Sequence, residues 1–93
     1  MDRRELEADL AEAYGGDGDE RRVVSRQARD LADAGQFEAD QGAELTVDTV
    51  VSNLADAPED TSVVERWNWW IGSLDVAHGG YERFRVQPWA LEE

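Results

Sequence analysis

Apolar side chains recur at helical spacing in four stretches of the chain, and glycine-rich or polar segments separate them. In the first stretch, Asp2 with Glu5 three residues on forms a capping-box pattern ahead of Leu6, Leu10, Ala13 and Tyr14, so a helix is predicted to end at Gly15. The run Gly15-Gly16-Asp17-Gly18-Asp19 is too rich in glycine for regular structure and reads as a flexible connector. A second helix, from about Glu20 to Ala34, places Val24, Ala28 and Leu31 on one narrow face, with Gly35 as the residue just past its end. From Gln36 to Leu45 the chain is polar and is predicted irregular, with Phe37 and Leu45 as anchors, Gly42 as a turn point, and a short strand over Glu44–Val47 compatible with its pattern. Thr46 then caps a short third helix carrying Val47, Val50, Val51 and Leu54, which Pro58 prevents from continuing.

The strongest pattern runs from Asp60 to His78. At about 100° per residue, Val64, Trp67, Trp70, Ile71, Leu74 and Ala77 fall in one broad stripe, which predicts the central helix of the core. His78 in the last turn and the pair Gly79-Gly80 mark its end. A competing reading makes Val63–Leu74 a strand paired with Tyr81–Val86, since β-branched and aromatic residues favour strands. In Tyr81–Val86 itself, Phe84 and Val86 alternate with Tyr81, Arg83 and Arg85, the period of a short exposed strand. The predicted fold is therefore mainly α: one domain over residues 1–93, about four helices around a long tryptophan-rich helix, with a short C-terminal β-strand or hairpin.

Charge changes the picture of the surface. The chain of 93 residues carries 22 Asp and Glu against 9 basic residues, a net charge of −13, and every basic residue is arginine. In dilute buffer, where the Debye length is about 10 Å, such a surface repels itself; at about 1 M salt the length falls to about 3 Å and the repulsion fades. This composition resembles that of proteins from extreme halophiles, which implies a salt-rich cytoplasm as the working environment. Screening also means that acidity does not exclude nucleic acid there, although most of the counterion-release gain disappears and a contact would need base, stacking or shape complementarity.

The residue inventory removes much chemistry. There is no cysteine and a single histidine, His78, so disulfides, thiolate centres, cysteine nucleophiles and multi-histidine metal sites within one chain are excluded. Asp17 and Asp19 flank Gly18 as in a calcium loop, but Arg22, Val23 and Val24 stand where further ligands belong, so no metal site is predicted. Arg3-Arg4 is followed by four acids rather than an apolar region, so no export signal is read, and no apolar run is long enough to cross a membrane. His78 at a helix end lacks a catalytic partner, the serines sit in no nucleophile pattern, and paired carboxylates are uninformative on so acidic a surface. The prediction is a cytoplasmic protein that is not an enzyme and needs no cofactor.

Trp69 lies about 100° or more from the Trp67, Trp70, Ile71 stripe, with Val76 beside it two turns later and the small Gly72 and Ser73 between them. One reading has this second face covered by the first helix, the second helix or the Trp89 tail of the same chain. The functional reading is self-association or partner docking through Trp69, Val76 and Trp89, because exposed tryptophan is unfavourable unless it anchors an interface. Arg22, Arg26 and Arg29 form a basic stripe, yet Arg26–Asp30 and Arg29–Asp33 stand at pairing distance and predict a salt-bridged face. The order of the third helix, the Asp56–Asp60 turn, the aromatic helix and the Arg83/Arg85 strand faintly resembles a winged helix-turn-helix, which implies nucleic-acid contacts from Arg66, Arg83 and Arg85. The primary expectation is a protein-interaction or oligomerisation module, with the winged-helix-like regulator as its alternative.

Overall fold

The helices of this chain mostly begin where a side-chain oxygen accepts a backbone amide that has no partner inside the helix. The computed structural model describes residues 1–87. Asp2 opens α1 (Arg3–Tyr14) by accepting the amides of Arg4 and Glu5 at 2.9 and 3.4 Å. Asp17 opens α2 (Gly18–Ala34) through the Asp19 amide at 2.8 Å, so this helix starts about two residues earlier than its apolar face indicates. The glycine connector is thereby shortened, and Arg21 closes it by donating to the carbonyls of Gly15 and Gly16 at 2.8 and 2.6 Å. Thr46 caps α4 (Val47–Leu54) at the Thr49 amide. Ser62 and Glu65 form a reciprocal capping box on α5 (Val63–His78), and Glu20 reaches across from α2 to accept the Val64 amide at 3.2 Å. Two carboxylates thus stand at the positive end of the α5 dipole.

Residues 36–41, expected to be irregular, instead form the short helix α3 (Gln36–Gln41). Gly35 ends α2 with φ of 73°, and its carbonyl then accepts the Ala39 amide at 3.1 Å, so helical structure resumes in a new direction without a side-chain cap. The turn swings Phe37 into the core, where its ring meets Trp70 edge-on at 5.8 Å.

The core is one contiguous cluster. Leu6 and Leu10 of α1, Val24, Ala28 and Leu31 of α2, Val50 and Leu54 of α4, and Trp67 and Ile71 of α5 are completely buried. Phe37 and Leu45 are buried as anchors, as predicted. The prediction of a single central helix is only partly met, because α2 packs against α1, α3 and α5 while α5 packs against α2 and α4. Val23 and Ser25 are buried alongside the predicted α2 face, which is why that face is wider than its apolar residues alone indicate. Ala77, placed in the predicted stripe of α5, is exposed, and Val64 is half-buried.

No strand forms among the described residues. Over 63–74 the chain is helical, which removes the hairpin reading, and Leu45 and Val47 are buried from a loop and a first helical turn. The predicted strand Tyr81–Val86 is replaced by a 3₁₀ turn at Glu82–Phe84. The alternation that suggested a strand put Tyr81 and Phe84 on opposite sides, whereas in a 3₁₀ turn residues three apart share a side, and both are buried. The extended backbone that follows finds its hydrogen bonds in side chains of α5, described below, and needs no neighbouring strand.

Candidate functional site

The run Trp67-Asn68-Trp69-Trp70 turns a different direction toward its surroundings at each position of α5. Trp67 is completely buried and its indole Nε1 donates to the Phe84 carbonyl at 2.8 Å. Trp70 is buried on the other side of the stripe and meets the Trp67 ring edge-on at 5.5 Å. Between them Asn68 clasps one residue by both its backbone groups: its Oδ1 accepts the Val86 amide at 2.8 Å and its Nδ2 donates to the Val86 carbonyl at 3.1 Å. This is the pair of bonds a neighbouring strand would supply. Tyr81 completes the attachment of the C-terminal segment. Its amide donates to Asp75 at 3.0 Å and its buried hydroxyl to Asp40 at 2.6 Å. Burial, reinforced by the Asp40 carboxylate, pushes the Tyr81 phenol well above the ordinary tyrosine range.

Trp69 points outward. It is 41% exposed and Val76 is 90% exposed, and these are the large hydrophobic side chains left at the surface among the described residues. Ser73 turns its hydroxyl back to the Trp69 carbonyl at 3.1 Å, so the middle of this face presents little polarity of its own. The space left by the small Gly72 is bounded on one flank by Arg85: a Cβ at position 72 would lie 2.8 Å from the Arg85 Nη2. Arg85 Nε stands 3.2 Å from Glu82 Oε2, a charge contact without hydrogen-bond geometry. Trp89, the third expected anchor, lies outside the described residues.

The three arginines singled out for nucleic acid are engaged within the chain. Arg66 is 9% exposed, donates to the carbonyls of Leu54 and Glu59 at 3.0 and 3.2 Å, and lies over the Tyr14 ring at 4.6 Å. It closes the end of α4, where a cation meets the negative end of the dipole. Arg83 donates to Gln36 at 3.2 Å and stacks on Phe84, and Arg85 flanks Gly72. With a 3₁₀ turn in place of the strand, the described residues contain no wing. On α2, Arg29 lies 3.8 Å from Asp33 and Arg22 pairs instead with Asp19 at 2.7 Å; the Arg26–Asp30 pair does not form among the described residues. His78 is exposed and is joined to Gln41 of α3 at 2.9 Å.

The roles of Asn68 and Arg66 were missed in the sequence because both bind backbone distant in the chain. Asn68 was legible only as a polar residue in an aromatic run. The class defined by this geometry is an all-helical domain, among its described residues, whose tryptophan-bearing helix holds the core on one side and an apolar patch on the other. The family model of the WNWW domain matches residues 1–75, and the chain belongs to that family. The match takes in α1 to α4 and most of α5, including the four-residue run at 67–70. No curated protein and no solved structure matches the chain. No helix of the described residues is long and apolar enough to cross a membrane.

Proposed function

We propose that this domain is a non-catalytic oligomerisation module in which the Trp69–Val76 face of α5 pairs with the same face of a second copy. The observation that carries the reading is the exposure of Trp69 and Val76 on one helix face, seven residues apart, with Gly72 and Ser73 between them. Seven residues advance a helix by about 10 Å. Two such helices crossing antiparallel about a two-fold axis near Gly72 and Ser73 bring Trp69 of one onto Val76 of the other, and the reverse. The patch is therefore self-complementary, as an isologous contact requires, and its small residues let the helices approach closely. Positions 69, 72, 73 and 76 carry no charge, whereas a net charge of −13 opposes association over the acid-rich remainder. The flexible end of Arg85, which stands against Gly72, swings aside in this contact and with Glu82 forms its polar rim.

An apolar contact of this kind is not weakened by screening, so the pairing fits a protein working in a salt-rich cytoplasm. The nucleic-acid alternative would require Arg66 to leave two carbonyls, and no observation favours it. Light scattering in molar potassium chloride tests the reading. The native chain is expected at twice its own mass, and Trp69→Arg at the single-chain mass with unchanged helical circular dichroism. A native chain that stays at the single-chain mass overturns the proposal.

A further inference from the structure

A second surface stands out by charge rather than by hydrophobicity. A cleft of about 480 Å³ opens between the first turns of α1 and the middle of α2, lined by Met1, Asp2, Arg3, Arg4, Glu7 and Arg29. One third of the basic residues of a strongly acidic chain thus face one concavity. Arg21 and Arg66 donate to carbonyls, Arg22 to Asp19 and Arg83 to Gln36, while Arg26 and Arg85 make no side-chain hydrogen bond among the described residues. The cleft differs in gathering three guanidinium groups without a close acceptor around one concavity. Among the described residues neither Arg3 nor Arg4 forms an ion pair, Arg3 Nε is buried with no hydrogen-bond partner, and Arg29 has only the long contact to Asp33 at 3.8 Å. Three guanidinium groups lining one concavity, none with a close acceptor, present forked donors that suit the oxygens of a phosphate group.

The two carboxylates narrow the ligand further. Asp2 uses Oδ1 alone to cap α1, which occupies the helix terminus and leaves Oδ2 able to accept a hydrogen bond, and Glu7 offers a second carboxylate. Carboxylates beside a phosphate site repel a bare anion but accept hydroxyl protons. The lining contains no aromatic ring on which a base could stack, and the volume exceeds that of a phosphate group alone. We infer that this cleft binds a sugar phosphate, with Arg3, Arg4 and Arg29 on the phosphate and Asp2 and Glu7 on sugar hydroxyls. It shares no residue with the α5 face and stands independently of the pairing proposed there.

The test is an NMR titration of the ¹⁵N-labelled full chain with ribose 5-phosphate, inorganic phosphate and ribose, in salt at which circular dichroism shows the chain folded. Ribose 5-phosphate is expected to shift the arginine Nε–H signals of the cleft saturably and to bind more tightly than either fragment. The double variant Arg3→Gln/Arg29→Gln should weaken binding by about tenfold or more, in line with lost charge-assisted hydrogen bonds, while Arg26→Gln, on the same helix but outside the cleft, leaves it unchanged. Absence of saturable shifts overturns the inference, as does an equal loss in Arg26→Gln, which would mark diffuse attraction. Inorganic phosphate binding as tightly as the ester overturns the sugar assignment, and ribose binding as tightly overturns the phosphate assignment.

Discussion

Trp67 and Trp69 are the same residue type two positions apart on one helix, yet they belong to different parts of the molecule. Trp67 is completely buried and its indole nitrogen has found a carbonyl seventeen positions away; Trp69 is 41% exposed, and the side chain that approaches it from its own helix, Ser73, bonds the Trp69 backbone. The difference teaches that aromatic content does not rank residues for the core. Direction on the helix decides first, and the presence of a hydrogen-bond acceptor inside the core then makes burial of a polar indole tolerable. The inward face of α5 organises the fold, and the outward face leaves Trp69 partly exposed among the described residues.

The comparison is broken most directly by truncating the two rings in turn. Trp67→Ala should destabilise the domain by about 3–5 kcal/mol in denaturant unfolding, the range for a large buried aromatic, whereas Trp69→Ala, read at concentrations where the chain is monomeric, should change stability by no more than about 0.5 kcal/mol. Equal effects would mean that both rings are structural. Asn68→Ala comes next, because it strands both backbone groups of Val86; a loss of about 2 kcal/mol is expected, with hydrogen exchange at the Val86 amide accelerated while exchange in α1 is unaffected.

Tyr81→Phe removes the bond to Asp40 and should lower stability by about 1 kcal/mol at neutral pH. The sign of its pH dependence follows from the raised phenol. The folded state favours the neutral form, so the contribution is complete below the unfolded tyrosine pKa of about 10 and is lost as the pH rises above it. The native chain should therefore lose stability above about pH 10 more steeply than the variant. Tyr14, whose hydroxyl donates to the Val51 carbonyl at 2.6 Å, is raised in the same direction by burial, with Arg66 opposing and Asp56 adding to it, so a weaker alkaline slope persists in Tyr81→Phe. A small effect of opposite sign lies on the outward face: Gly72→Ala should stabilise the monomer by up to about 1 kcal/mol through helix propensity, since only the flexible end of Arg85 must move, while weakening any pairing that needs close approach there.

Much of this architecture was legible along the chain. Asp2 and Thr46 cap helices as their spacing predicts, and the glycines after α1, α2 and α5 stand where the chain leaves helical geometry; Asp17 and Ser62 act just as locally, but Asp17 was read as part of a flexible connector and Ser62 was not singled out. The Trp67, Trp70, Ile71, Leu74 stripe followed from period alone, and so did the separate direction of Trp69 and Val76, though period could not say whether the same chain covers that face. Tyr81–Val86 was misread because a period of two and a single turn of period three both account for so few residues, and local pattern cannot choose between them. Arg66 was misread because a lone cation near a helix start looks available to solvent until the preceding helix is placed against it.

The sequence by itself determined four of the five helices to within a few residues, which side of α5 faces the core, and that the chain is strongly acidic, since these depend on neighbours within a turn or on composition. Only the tertiary structure decided that Arg66 closes α4 from twelve positions away, that Trp67 and Asn68 hold residues seventeen and eighteen positions on, and that three arginines from α1 and α2 share one cleft. The physical reason is reach. A capping bond is specified by its own few residues, whereas a bond across the fold exists only after the helices have packed and brought a buried donor to the acceptor it needs.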